Sequence, residues 1–290
     1  MGNPFIEGTA VQAADEGRYT ATIDEVWNLR PMPQGGIVTA MALRAMGEEL
    51  AHPEQRARTL HTTFVGQVAS GPVDIAVDVL RRGRSMSHAR ADVRNVGAAA
   101  GHVTTAVFGA TRDGFDFLDL EPLAPAPPHP DDCVSFRDPP PPEAPPFEPM
   151  RFWTERVEGR PFLGDPPWDT TAVRERAERA CWYRFDDPPF LDDGTIDPYA
   201  LVVLADTMPG AVGQRLGEMG RPWFAPSIDL TVHLLDHCRS PWVVAHNRAR
   251  FAGDGYASAD MALWDYGPDC AGEPRLVAYA TQLFLFTFMD

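Results

Sequence analysis

The sequence predicts an α+β protein made of two tandem units, each a curved antiparallel sheet wrapped around a central helix. Three observations predict it. One helix is apolar almost all round, one order of elements occurs twice, and a proline-dense segment separates the two occurrences.

The helix is "GGIVTAMALRAMGEEL", residues 35–50. A surface helix carries an apolar stripe and a polar back. Here Ile37, Val38, Ala40, Met41, Ala42, Leu43, Ala45 and Met46 leave almost no polar back over the first two turns. Such a helix has to be enclosed. The Gly35–Gly36 pair at its start lets another backbone come close and presents amide N–H groups that no helical carbonyl satisfies.

The strand "RYTATIDEVW" precedes this helix, and "ARTLHTTFVGQV", "VDIAVDVLRR", "SHARADVRNV" and "HVTTAVFGAT" follow it. In the third of these, Ala89, Ala91 and Val93 alternate with Arg90, Asp92 and Arg94, the period of two of a half-buried antiparallel strand. Further along, "ACWYRF" leads into "DPYALVVLADTM", where Asp197 as N-cap and Pro198 at the first helical position mark a helix start. The strands "APSIDLTVHLL", "PWVVAHNRARF", "YASADMALWDY" and "RLVAYATQLFLF" complete the second round. Thr59 matches Ser227 and Ala89 matches Ala257 at one offset, which supports a repeat. The predicted units are 1–120 and 180–290. Between them, 121–179 opens on proline-dense sequence that prevents helix and sheet, so it reads as an extended linker and connecting segment.

Composition narrows the function. A net charge of −16 argues against non-specific nucleic-acid binding, which needs a basic footprint. No apolar run is long enough to span a bilayer, and "MGNPFIEGTA" lacks the pattern of a secretory signal, so the expected location is cytoplasmic. Cys133, Cys181, Cys238 and Cys270 are scattered, without metal-ligand spacing. No GxSxG elbow, P-loop or GxGxxG occurs.

Two curved sheets joined edge to edge around central helices make a double hotdog, and on these residues the chain resembles the double-hotdog acyl-CoA thioesterases, the thioesterase II family. The likeness rests on "PQGGIVTAMAL", "LHTTFVGQVASGPVDIAVDVLRRGRSMSHARADV" and "AVFGAT" in the first half. In the second it rests on "LADTMPG", "PSIDLTVHLL" and "YATQLFLF". Family members carry Asp on the second helix, Ser or Thr on the next strand and Gln on the last, which fall here on Asp206, Ser227 and Gln282. The resemblance implies hydrolysis of a fatty or related acyl-CoA by a water held among these three. It implies no metal and no cofactor beyond the coenzyme A of the substrate.

The residues themselves support this set. Asp206 is the one charge in "YALVVLADTM", and burying an unpaired carboxylate is costly. The matching positions of the first half are Val38, Thr59 and Phe108, so only the second copy is equipped for chemistry. Amides near Gly35, Gly36 and Ile37 are candidates for an oxyanion site. Arg81, Arg82 and Arg84 are a candidate grip for coenzyme A phosphates, with a solvated hairpin turn as the alternative. Asp206 also fits a helix cap before Pro209–Gly210. A catalytically silent double hotdog that binds acyl-CoA or an acyl chain stays open as the second functional reading. A double hotdog pairs internally, so both a monomer and a homo-oligomer fit.

Overall fold

The computed structural model describes residues 2–29, 31–144, 150–166, 168–169, 174–216 and 223–288. The first half comprises α1 (Pro4–Gly8), β1 (Gln12–Asp15), β2 (Arg18–Ile23), α2 (Gly35–Leu50), β3 (Arg56–Phe64), β4 (Gly71–Arg81), β5 (Met86–Asn95) and β6 (His102–Gly109). The rest comprises α3 (Arg151–Glu155), β7 (Val157–Leu163), β8 (Glu178–Phe185), α4 (Pro198–Ala205), α5 (Pro209–Leu216), β9 (Trp223–Phe224), β10 (Asp229–Leu234), β11 (Val243–Gly253), β12 (Tyr256–Asp265), β13 (Arg275–Leu285) and β14 (Thr287–Phe288). Strand, helix and four strands thus occur twice, and the double hotdog stands.

All the longer strands join one sheet in the order β1-β2-β4-β5-β6-β3-β10-β13-β12-β11-β8-β7, while β9 and β14 pair separately. The two halves meet edge to edge at β3 and β10, where Thr62 lies opposite Leu230. Those two residues are separated by the offset that matches Thr59 to Ser227. Ile37, Val38 and Met41 of α2 are fully buried, as are Val202 and Val203 of α4, and one continuous core holds both helices. This enclosure explains why neither helix has a polar back.

Two details differ from the sequence reading. The stretch 151–179, which shows little periodicity, supplies α3 and an edge strand, β7, that pairs with β8; residues 167 and 170–173 of it lie outside the described residues, as do 145–149 of the proline-dense part. The ladders also move one matched position. Thr62 faces Thr104 on β6, and Thr231 faces Thr281 on β13, so Gln282 corresponds to Thr104 rather than Phe108. Bulges and the longer β12–β13 loop shift the count along the chain.

The start of the proline-dense part lies against the outer face of the sheet in the second half. Leu120, Leu123 and Cys133 pack there against Trp182, Trp242 and Trp264, and the Trp182 indole donates to the Pro128 carbonyl at 3.0 Å. Among the described residues no helix is long and apolar enough to cross a membrane.

Candidate active site

Asp197 caps α4 through the Tyr199 amide, with Pro198 at the first helical position. The helix stops after Ala205, Asp206 takes the C-cap position, and Pro209 opens α5. A proline cannot continue the hydrogen-bonded helix. The break therefore turns the Asp206 side chain out of an otherwise apolar helix and toward the start of α2.

The three candidate residues come together there. Ser227, just before β10, donates from Oγ to Asp206 Oδ1 at 3.2 Å. Gln282 of β13 donates from Nε2 to the same carboxylate oxygen, and to Ser227 Oγ at 2.9 Å. The Gly36 amide donates to Asp206 Oδ2 at 2.9 Å. Burial pushes the Asp206 carboxyl up to about 6, against bonds from Gln282, the Gly36 amide, Ser227 and the Gly35 amide, which favour the ionised form. Gln282 Oε1 is buried and has no hydrogen-bond partner among the described residues, which leaves an acceptor open on a side chain of the cluster.

The paired glycines are required by packing. A Cβ on Gly36 would lie 2.7 Å from Val203 Cα and 2.8 Å from the Val202 carbonyl oxygen. One on Gly35 would lie 2.6 Å from the Phe64 ring and 2.9 Å from Asp206 Oδ2. The first turn of α2 therefore lies directly against the end of α4. The Ile37 amide is occupied, bonded at 3.1 Å to the side-chain oxygen of Gln34, the N-cap residue. In turn, Gln34 Nε2 donates to the carbonyls of Val203 at 2.7 Å and Asp206 at 3.1 Å, tying the two helices together.

Sequence reasoning missed Gln34 and Phe64. A helix-capping side chain just before the glycine pair was the available signal for the first. Phe64 had none, because its place beside Gly35 depends on how β3 meets α2.

Arg81, Arg82 and Arg84 are not brought to this site. Arg82 donates to the carbonyls of Glu49, at 2.9 Å, and Leu50, and so caps the C-terminus of α2. That end is a 16-residue helix away from Gly35, about 24 Å. The Arg82 guanidinium is already engaged with the end of that helix.

The corresponding place in the other half is filled. Where the start of α4 meets α2, Arg44 Nη2 and Asp197 Oδ2 form a partly buried ion pair at 2.6 Å, with Arg44 also on Thr9 at 2.6 Å. Thr39, Thr62 and Thr104 of the first half are fully buried and bonded in a row, 3.2 and 2.8 Å apart. At the position of Gln282 that half carries Thr104, a hydroxyl in place of the amide.

The model of the acyl-CoA thioesterase C-terminal domain matches residues 130–286, and that of the N-terminal domain matches 23–109. The chain belongs to the acyl-CoA thioesterase family. Its chemistry is thioester hydrolysis, and the Asp206–Ser227–Gln282 cluster is of the kind that chemistry uses. Among solved structures, this thioesterase is similar to a conserved hotdog-fold protein of unknown function from Alicyclobacillus acidocaldarius, with 23% identity, 100% of both chains covered and a TM-score of 0.79. An acyl-CoA thioesterase II from Mycobacterium marinum covers 99% of each chain at 21% identity, with a TM-score of 0.73. At such identity the likeness concerns the fold. No curated protein sequence matches.

Proposed function

We propose that Asp206 is the general base of this thioesterase and that Ser227 and Gln282 hold the attacking water. The observation that carries this is the open Gln282 Oε1, buried beside a carboxylate whose Oδ1 already receives both neighbours. A water bonded to that acceptor lies within reach of the Asp206 carboxylate, which takes its proton as the oxygen attacks the thioester carbonyl. The carbon–sulfur bond then breaks, and coenzyme A leaves as a thiolate that needs little acid assistance. Geometry of this kind contributes mainly by positioning.

The start of α2 takes a different first role from the expected one. Gly36 holds the base, and Ile37 holds the cap of its own helix. For Gly36 to bind the developing oxyanion, Asp206 has to yield its amide as the carbonyl arrives. The substrate is a fatty or related acyl-CoA. The setting we propose is the cytoplasm, whose reducing conditions suit four free cysteines.

Release of free thiol from a panel of acyl-CoAs tests the reading, with Asp206→Asn run beside the wild type. Loss of release in a folded variant is the expected result. Tight acyl-CoA binding by a wild type that releases no thiol selects the silent-binder reading instead.

A further inference from the structure

The Phe64 ring at Gly35 has a second neighbour. His102, the first residue of β6, meets it edge to face, with ring centroids 4.7 Å apart and planes at 89°. His102 is 7% exposed, and its Nδ1 is buried without a hydrogen-bond partner among the described residues. Burial pushes its imidazole down to about 3, so the ring stays neutral at any ordinary working pH. The polar groups next to it on the same inner face are already engaged: Thr104 bonds Thr62 at 2.8 Å, and Thr62 bonds Thr39 at 3.2 Å.

A buried nitrogen without a partner costs free energy, and a phenyl ring at this place would pack on Phe64 equally well. The nitrogen therefore has no partner in the fold among the described residues. It lies one aromatic ring away from Gly35, where the Asp206 carboxylate sits.

We propose that His102 is a substrate-binding residue, its Nδ1 accepting a hydrogen bond from a donor group that the acyl-CoA carries beside its thioester. This rests on the thioesterase reading of the Asp206 site. Two parts of the substrate have the required chemistry: a hydroxyl on the acyl chain close to the carbonyl, and the amide N–H of the pantetheine arm. A site with a buried acceptor discriminates strongly against a substrate that leaves it empty.

The test measures kcat and KM for butyryl-CoA, 3-hydroxybutyryl-CoA and the butyryl thioester of ethanethiol, which has neither donor. Wild type is compared with His102→Phe, which keeps the ring contact, and His102→Asn, which keeps an amide oxygen near the place of Nδ1. The Phe variant is expected to raise KM by about tenfold for substrates with the donor, with a smaller change in kcat, and Asn is expected to recover part of the loss. A penalty confined to 3-hydroxybutyryl-CoA identifies the acyl hydroxyl as the partner. A penalty on both coenzyme A esters that spares the ethanethiol ester identifies the pantetheine amide. Equal changes on all three substrates, or none, overturn the proposal. Wild type that releases no thiol from any of them overturns the thioesterase reading and this inference with it.

Discussion

Gly36 in the first half donates its amide to Asp206 in the second at 2.9 Å, so the reactive carboxylate is gripped across the seam between the two copies. The positive end of α2 favours an anion at that spot. It offsets part of the desolvation that would otherwise keep Asp206 protonated.

A methyl group at Gly36 should break this arrangement. The backbone atoms of Val202 and Val203 stand 2.8 and 2.7 Å from the new Cβ, and backbone cannot swing aside. Gly36→Ala is expected to lower stability by about 1–3 kcal/mol, the usual range for overpacking. Activity is expected to fall about a hundredfold as Asp206 shifts. At Gly35 the obstacles are the Phe64 ring and the Asp206 side chain itself, which can move. Gly35→Ala should melt closer to wild type while still losing activity. Thermal melts paired with thiol-release rates check both.

The pH dependence follows from Asp206. Its carboxyl rises from 3.8 to about 6 because burial outweighs the bonds it receives. As general base it must be ionised, so kcat/KM should fall below about pH 6 with the slope of one proton. Stability has the opposite sign. Between 3.8 and about 6 the folded chain holds a proton that the unfolded chain releases, so the stability due to the protonated form is present below 3.8 and lost as pH rises through about 6. Asp206→Asn should therefore be more stable than wild type at pH 8, by about 2–3 kcal/mol, and equal to it near pH 3. Melts across that pH range decide this. An Asn variant no more stable at pH 8 would show that Asp206 is not desolvated.

Much of this site is legible in the sequence. An apolar helix, strand alternation and a repeated order are local patterns, and they fixed the enclosure of α2 and the pairing of two like units. The lone charge in "YALVVLADTM" gave Asp206, and Pro209–Gly210 marked where the helix breaks. What escaped depends on contacts between elements far apart in the chain. Gln34 reaches the carbonyls of residues in the other half, Phe64 stands beside Gly35, and His102 stands behind Phe64. No spacing along the chain encodes those neighbours. The Arg82 contacts escaped as well, because a basic turn does not reveal which carbonyls lie next to it.

Arg82 should accordingly behave as a cap. Its bonds to the Glu49 and Leu50 carbonyls satisfy orphan acceptors at the end of α2. Arg82→Ala is expected to cost about 1 kcal/mol of stability. KM for acyl-CoA, and its dependence on salt, should not change. A KM that rises in the variant and loses its salt dependence would return this residue to the coenzyme A site.

The roles of Ser227 and Gln282 separate by degree. Gln282 is 2% exposed, donates to both Asp206 and Ser227, and supplies the open acceptor. Gln282→Leu removes two donors from the cluster and the place for the water together. Its activity should fall by about a hundredfold or more, and its acidic limb should move to higher pH because the carboxylate has lost the bond that lowers it most. Ser227→Ala removes two bonds, the 3.2 Å one to Asp206 and the 2.9 Å one from Gln282, but leaves the Gln282 oxygen and its bond to the carboxylate in place. About a tenfold loss is expected, with a smaller upward shift of the limb. Full pH–rate profiles for the two variants rank them. If Ser227→Ala proves the more damaging, the water is held by the hydroxyl rather than by Gln282 Oε1, and the proposed geometry of attack has to be redrawn around Ser227.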